Sequence, residues 1–215
     1  MWFVKTIIKA NRKVCHFLLT CIVLHEKYMK YYYRILFFFV CIMACQKVLV
    51  EKEHPFVTYT IRAGEQYADY FEYEVLTSIT EMKFVAVFDS SAIYTSAIPT
   101  NQEDVNKLYG FADNNMHHHI NSARIGWRWF NNELQLFAYV YNNAVRSFVF
   151  IKSVNLLQAI HCAIKINGNK YLFTVDGTSI EMPRTASVAD GYKLFPYFGG
   201  DEFAPHEIKI RIKDM

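Results

Sequence analysis

Cysteine is scarce in this sequence beyond residue 45. Five cysteines occur in 215 residues, and four of them lie at or before that position. Cys162 is the one cysteine of the remaining part, so no disulfide can form within it. Its place in an alternating apolar segment predicts a small core residue. Nothing around it has the pattern of a catalytic cysteine–histidine site.

A surplus of positive charge is also missing from this part of the chain. The net charge of +3 comes from the first 44 residues, which hold seven basic residues and one acidic residue. From Cys45 onward there are 16 basic and 19 acidic residues. A domain that binds phosphate backbones is expected to carry a basic patch of its own. Nucleic acid is therefore excluded as a predicted partner.

Several enzyme motifs are absent. The sequence has no G-x-S-x-G elbow, no P-loop, no dinucleotide fingerprint and no HExxH pair. Gly199 and Gly200 precede no helix-forming segment, so they do not predict a phosphate cradle. No cofactor and no catalytic residue are predicted.

The stretch MKYYYRILFFFVCIMACQK (29–47) has the layout of a secretory signal peptide. Lys30 and Arg34 precede the apolar run 35–43, which is shorter than the roughly 20 residues of a membrane-spanning helix and has no polar face for a core helix. The tetrapeptide IMAC (42–45) resembles the lipobox of bacterial lipoproteins. In that family the cysteine becomes the first mature residue and carries the lipid.

We therefore expect a leader over residues 1–44 with translation starting at Met29, lipidation at Cys45, a tether over 45–55 and a domain over 56–215. Two alternatives remain for the apolar run, an uncleaved anchor or a structural element. A second run at 17–24 leaves open a hairpin or span made of both runs.

After residue 55 the dominant period is two, which is typical of strands. Turn dipeptides such as NG (167–168) and DG (176–177) separate the segments. Short connections require antiparallel neighbours. The sequence therefore predicts an all-β, antiparallel β-sandwich or jelly roll, with helical turns confined to 101–110 and 154–160. The predicted strands are 56–62, 83–88, 123–130, 133–141, 145–151, 161–166, 170–175 and 206–212.

Alternation within these strands separates a core face from an outer face. In 133–141, for example, leucine, alanine and valine form one side, while aromatic and polar residues form the other. The residues predicted to be buried are Trp127, Trp129, Leu134, Leu136, Ile164, Ile166, Phe173, Val175, Ile208 and Ile210.

The segment NKYLFTVDGTSIEM (169–182) resembles a strand–turn–strand unit of concanavalin-like and laminin-G-like jelly rolls. Together NKLYGFAD, HHHINSARIGWRW, AYVYNN and YKLFPYFGGDEFAPHEI resemble a family of uncharacterised bacterial surface lipoproteins, which brings no established activity. Concanavalin-like folds often bind or cleave polysaccharides, although fold alone is weak evidence of function. The E-x-D-x-x-E motif of jelly-roll glycosidases is absent, as are the R-x-E-L and Q-I-H motifs of jelly-roll alginate lyases.

Three consecutive histidines, His117, His118 and His119, suggest metal binding. In an extended segment, His117 and His119 share one face while His118 points away. No metal site is therefore predicted. His117 and His119 are retained as ligand-binding candidates at the edge of a sheet.

Arg124 and Arg128 share one strand face, and the following strand offers Gln135, Tyr139 and Tyr141. A guanidinium fork matches carboxylates, and aromatic rings suit the apolar faces of sugars. The alternative is that both arginines are solvated or paired. The predicted ligand-binding set is His117, His119, Arg124, Arg128, Gln135, Tyr139 and Tyr141, with a polysaccharide, preferably anionic, as partner.

These patterns predict an exported, non-catalytic glycan-binding protein of the cell surface or periplasm, anchored by lipid to a bacterial membrane, with the outer membrane or cell surface preferred. One alternative is a jelly-roll polysaccharide lyase or hydrolase. Another is a structural or adhesion lipoprotein with a protein partner. A concave groove with histidine, tyrosine and arginine within hydrogen-bond reach favours the enzyme, a shallow aromatic platform favours binding, and a flat apolar patch favours a protein partner.

Overall fold

The computed structural model describes residues 54–70 and 72–215. The leader, Cys45 and almost all of the tether lie outside these residues, so the expectations for them stay predictions. In the described part of the chain, no helix is long and apolar enough to cross a membrane.

Within the described residues, twelve strands form two six-stranded antiparallel sheets. The first sheet has the order β1-β12-β3-β8-β9-β10, and the second has the order β2-β11-β4-β5-β6-β7. The predicted all-β sandwich is confirmed. The strands are β1 (Val57–Ile61), β2 (Val75–Leu76), β3 (Glu81–Phe88), β4 (Asn106–Ala112), β5 (Ser122–Phe130), β6 (Glu133–Asn142), β7 (Val145–Val154), β8 (Ile160–Asn167), β9 (Lys170–Val175), β10 (Thr178–Pro183), β11 (Gly191–Leu194) and β12 (Ile208–Asp214).

Of the two predicted helical turns, the first is partly present in the structure and the second is absent from it. A 3-10 helix spans Pro99–Glu103, but the second half of the segment 101–110 belongs to β4. The segment 154–160 contains the end of β7 and a turn, and no helix. Strand β4 escaped prediction because six of its seven residues are buried, which removes the alternation that marks a strand.

The core lies between the two sheets. Of the ten residues predicted to be buried, eight are at most 1% exposed. Trp129 and Ile166 are half-buried and pack against the edge of the core, because each stands near the end of its strand. Cys162 is buried in this core, and burial raises the pKa of its thiol.

A buried ionic group connects the two sheets. Asp113 follows β4 in the second sheet and is fully buried. Its Oδ2 accepts hydrogen bonds from Arg184 Nε at 2.7 Å and from Tyr171 Oη at 2.6 Å. Tyr171 belongs to β9 and Arg184 follows β10, both in the first sheet. A carboxylate that follows a strand of the second sheet therefore accepts hydrogen bonds from two donors of the first sheet.

Candidate functional site

A cavity of about 590 Å³ lies against the second sheet, on the face turned away from the core. Its wall is formed by side chains from β4, β5, β6, β7 and β11, together with the loop before β2, the turn between β4 and β5 and the segment after β11. The volume falls within the usual range for small-ligand sites. The charged and aromatic residues of the wall are Tyr67, Glu72, Tyr73, Lys107, His118, His119, Arg124, Tyr139, Tyr141, Arg146, Tyr192, Lys193, Phe195 and Tyr197.

Arg124 is a buried cation in this wall. It lies in the middle of β5, opposite Tyr139 of β6 and Gly110 of β4, and is 9% exposed. A Cβ at Gly110 would lie only 2.7 Å from the Arg124 Cα, so this close approach of β4 to β5 requires glycine.

The guanidinium of Arg124 has no hydrogen bond or ion pair with any residue in 54–70 or 72–215, and its buried Nε has no partner. Burial lowers its pKa to about 10, against the opposing effect of Tyr139. Arg124 therefore stays charged at neutral pH. A buried donor without an acceptor costs free energy, and an anion in the cavity would offset the further cost of the buried charge.

Lys107 of β4 adds a second cation. Its Nζ donates to the Gly199 carbonyl at 2.6 Å and lies over the rings of Tyr139 and Tyr197. Burial, followed by repulsion from Arg124 and Arg146, lowers the pKa of Lys107 to about 8.

Among the described cations of the wall, only Lys193 forms ion pairs with carboxylates. Its Nζ lies 2.6 Å from Glu74 Oε2 and 3.0 Å from Asp214 Oδ2. Glu72 is the one carboxylate in the described wall. The cavity therefore has an excess of positive charge and favours an anion.

His118 and Tyr192 form a hydrogen-bonded pair in the same wall. The backbone N–H of His118 donates to Tyr192 Oη at 3.1 Å, and its ring Nδ1 lies 3.0 Å from the same oxygen. Because the phenol oxygen already accepts from the backbone, its own hydrogen is free to point at Nδ1. Burial, and next Arg124, lower the pKa of His118 to about 4. The ring is therefore neutral at pH 7, and its Nδ1 can accept a hydrogen bond from the phenol.

The histidine run is a turn and is not extended. The amide of Ile120 donates to the His117 carbonyl at 2.7 Å, which closes the turn. The rings of His117 and His118 stack with centroids 4.2 Å apart, and one ligand nitrogen from each of the three rings lies within 4.8 Å of the others. Strand alternation would have separated these rings, so the turn creates a cluster that the sequence pattern argued against.

Four of the residues predicted for ligand binding line the cavity, namely His119, Arg124, Tyr139 and Tyr141. His117 is beside the wall. Arg128 and Gln135 lie outside it and bind each other, with Arg128 Nε donating to Gln135 Oε1 at 2.8 Å. Arg128 also donates to the Glu103 carbonyl and lies over two phenylalanine rings. Its guanidinium is already occupied by protein groups.

Sequence reasoning missed Lys107, His118, Tyr192 and Tyr197. Tyr192 lies in β11, a four-residue strand that was not predicted, and Lys107 lies in the unpredicted β4. These residues come together because β4 pairs with β5 on one side and with β11 on the other. Strands β4 and β11 are more than 60 residues apart in the sequence. No local pattern in the sequence signals such a contact.

Comparison with known proteins gives structural neighbours only. No family model and no curated protein matches the chain. The resemblance to surface lipoproteins therefore stays a prediction.

Three of the similar solved structures are jelly-roll enzymes. Alginate lyase AlyC3 in complex with dimannuronate is 10% identical, with 76% of each chain covered and a TM-score of 0.49. The marine alginate lyase AlyA1 from Zobellia galactanivorans is 8% identical, covering 80% of this chain and 84% of that one, with a TM-score of 0.46. The catalytic domain of an endo-1,3-beta-glucanase (laminarinase) from Thermotoga petrophila RKU-1 is 9% identical, covering 74% and 76%, with a TM-score of 0.48. Identity at this level carries no activity from one protein to another.

Proposed function

We propose that this protein is a polysaccharide lyase that acts on an anionic, uronate-containing glycan. The observation that carries the proposal is the buried, unpaired guanidinium of Arg124 in the same wall as the hydrogen-bonded pair His118–Tyr192. This is the histidine–tyrosine–arginine combination that distinguishes an enzyme from a simple binding platform.

The cations account for recognition of the sugar. A uronate carboxylate in the cavity would accept a charge-assisted hydrogen bond from the guanidinium of Arg124, which lines the wall and has no partner among the described residues. Lys107 would add a second positive charge. The tyrosine rings of the wall offer flat surfaces for the apolar faces of sugars. An anionic sugar therefore matches the wall better than a neutral one.

The pair His118–Tyr192 accounts for the chemistry. In β-elimination, a base takes the proton at C5 of the uronate, the C4–O bond breaks, a C4=C5 double bond forms and the leaving oxygen takes a proton. Negative charge develops on the carboxylate in the transition state, where Arg124 would stabilise it. Tyr192 Oη would pass its own proton to His118 Nδ1 and take the C5 proton. It would then give that proton to the leaving oxygen and recover its own from His118, so both groups end as they began.

Hydrolysis fits this wall less well. A glycosidase needs two carboxylates roughly 5–10 Å apart, and Glu72 is the one carboxylate in the described part of the wall. The lyase is therefore preferred to the hydrolase.

Replacing Tyr192 with phenylalanine tests the proposed chemistry. Tyr192→Phe removes only the hydroxyl, so we expect turnover to fall about 10²- to 10⁴-fold, while binding of the glycan is kept. The assay follows the ultraviolet absorbance of the unsaturated product on a panel of polyuronates. Tyr70→Phe is the matched control, because Tyr70 is exposed and lies outside the wall.

Two results would contradict the lyase. Full activity in Tyr192→Phe would remove the tyrosine from the chemistry. Binding of a polyuronate by the wild-type protein without any unsaturated product would favour the non-catalytic glycan-binding protein instead.

The affinity for a uronate oligosaccharide should fall as pH rises from 7 to 9. The pKa of Lys107 is lowered to about 8, so its ammonium group is mostly charged at pH 7 and mostly neutral at pH 9. Of the groups that face it, Arg124 stays mostly charged with a pKa of about 10, while burial raises the pKa of Tyr139 and of Tyr197. We expect a loss of about tenfold, corresponding to one charge-assisted contact.

Calorimetric titration at pH 7, 8 and 9 measures this loss. Lys107→Arg stays charged throughout and should show a flat profile. A wild-type affinity that does not change with pH would exclude Lys107 as a ligand for the anion.

We further propose export and lipid anchoring through Cys45, which lies outside the described residues. Expressed in bacteria from Met29, the protein is expected to be cleaved before Cys45 and to gain the mass of a lipid. Mass spectrometry of the membrane fraction measures both changes. An intact leader or an unmodified Cys45 would refute the anchor, and Cys45→Ala should release a folded domain.

A further inference from the structure

We propose that His117, His118 and His119 form a binding site for a divalent transition metal ion of the Zn²⁺ class. One ring nitrogen of each histidine lies within 4.8 Å of the other two. The tight turn over residues 117–120 brings the three rings together. Imidazole nitrogens are preferred ligands of Zn²⁺, Ni²⁺ and Cu²⁺, whereas Mg²⁺ and Ca²⁺ prefer oxygen.

Hydrogen bonds already orient two of the rings. Tyr192 Oη lies 3.0 Å from Nδ1 of His118, and the backbone N–H of His119 donates to Nδ1 of His117 at 3.3 Å. Both contacts lie at Nδ1, and Nε2 of these two rings has no hydrogen bond to a described residue. A ligating histidine usually donates the hydrogen of its other ring nitrogen. A metal ion at Nε2 of His118 would therefore leave the hydrogen on Nδ1, donated to Tyr192 Oη, and the His117 ring would release the His119 amide as it turns toward the ion.

Only a small movement is needed to close the site. A tetrahedral ion with Zn–N distances of 2.0–2.1 Å holds its nitrogen ligands about 3.3 Å apart. His117 and His119 are exposed, so their rings can rotate by the required ångström or so without disturbing the core. His118 is half-buried and fixed by Tyr192, and it would form the rigid side of the site.

Three protein ligands leave one coordination position open. His118 and His119 belong to the cavity wall, so that position lies at the cavity. Water, or an oxygen of an anionic ligand, could complete the coordination.

The site would also regulate the proposed lyase, and this consequence rests on the proposed function. A His118 ring that coordinates a metal ion carries the ion's positive charge and no longer accepts a proton from Tyr192. Zn²⁺ is therefore expected to inhibit the elimination reaction.

Calorimetric titration of the full chain with ZnCl₂ tests the site directly. The chain also contains other histidines and four cysteines at or before residue 45, so the comparison is between variants. We expect the double variant His117→Ala/His119→Ala to lose one bound Zn²⁺, or to bind it at least about tenfold more weakly. His161→Ala is the control, because His161 is exposed on β8 in the other sheet.

Unchanged stoichiometry and affinity in the double variant would overturn the site. The single variants His117→Ala and His119→Ala guard against misfolding of the double variant, since each alone should weaken the same binding event. MgCl₂ should produce no heat that depends on these histidines.

The inhibition assay separates the site from the proposed function. Zn²⁺ binding at the histidines, in a protein without lyase activity on any polyuronate, would support the site and contradict the proposed function. Lyase activity that is unchanged while Zn²⁺ occupies the histidines would overturn the regulatory role.

Discussion

Arg124→Met is expected to make the protein more stable and to weaken its binding of anionic glycan. The guanidinium is buried and has no partner within the described residues. Replacing it with an apolar side chain of similar length removes the cost of burying an unpaired charge, about 1–3 kcal/mol in the free energy of unfolding. For a domain of this size that is a rise of several degrees in melting temperature.

The same substitution removes the main ligand for a carboxylate. A charge-assisted hydrogen bond contributes about 1.5–3 kcal/mol, so affinity for a uronate oligosaccharide should fall roughly ten- to a hundredfold. A residue that costs stability and serves binding is typical of functional sites.

Arg128→Met is the matched control. Arg128 lies on the same face of β5, but its guanidinium is bonded to Gln135 and Glu103. This variant should lose stability and should affect binding much less. If Arg124→Met instead lowers the melting temperature and leaves binding intact, Arg124 is a structural residue and the cavity has another role.

Asp113→Ala should destabilise the sandwich by about 3–5 kcal/mol, the largest expected loss of stability in this protein. The substitution leaves the Arg184 guanidinium, 7% exposed, without its carboxylate. It also leaves the buried hydroxyl of Tyr171 without an acceptor. The midpoint of urea unfolding should fall, with the slope unchanged if unfolding stays two-state.

Two further variants test whether the effect comes from an orphaned charge. Asp113→Leu/Arg184→Met removes both charges and should recover most of the lost stability. Glu181→Ala breaks an exposed ion pair with Lys170 and should cost less than about 1 kcal/mol. A cost for Asp113→Ala similar to that for Glu181→Ala would mean that the buried pair adds little to stability.

The fold was largely predictable because its strands alternate and its turns are tight. Each of the eight predicted strands coincides with a strand of the sandwich, and the turns at 131–132 and 176–177 contain residues with positive φ. The exceptions have physical causes. Strand β4 is buried along nearly its whole length, and β2 and β11 have two and four residues, too few to establish a period. Strand β10 is missing from the strands predicted by alternation and was marked only by the resemblance of 169–182 to a strand–turn–strand unit.

The candidate site was predictable only in part. Alternation placed Arg124, Tyr139 and Tyr141 on one face, because cross-strand neighbours share a face. Alternation could not separate Arg124 from Arg128, which occupy the same face about 13 Å apart along the strand. Arg128 is hydrogen-bonded to Gln135 and Glu103, whereas Arg124 has no such partner among the described residues. This difference depends on which residues lie around each guanidinium in the folded protein, so strand alternation cannot reveal it.

A crystal structure of the protein with a uronate trisaccharide tests the central claim most directly. We expect one carboxylate oxygen at about 2.7–3.1 Å from a guanidinium nitrogen of Arg124 that faces the cavity, with the sugar within reach of Tyr192 Oη. A trisaccharide bound away from this cavity, or in it with its carboxylates turned from Arg124 toward solvent, would contradict the account.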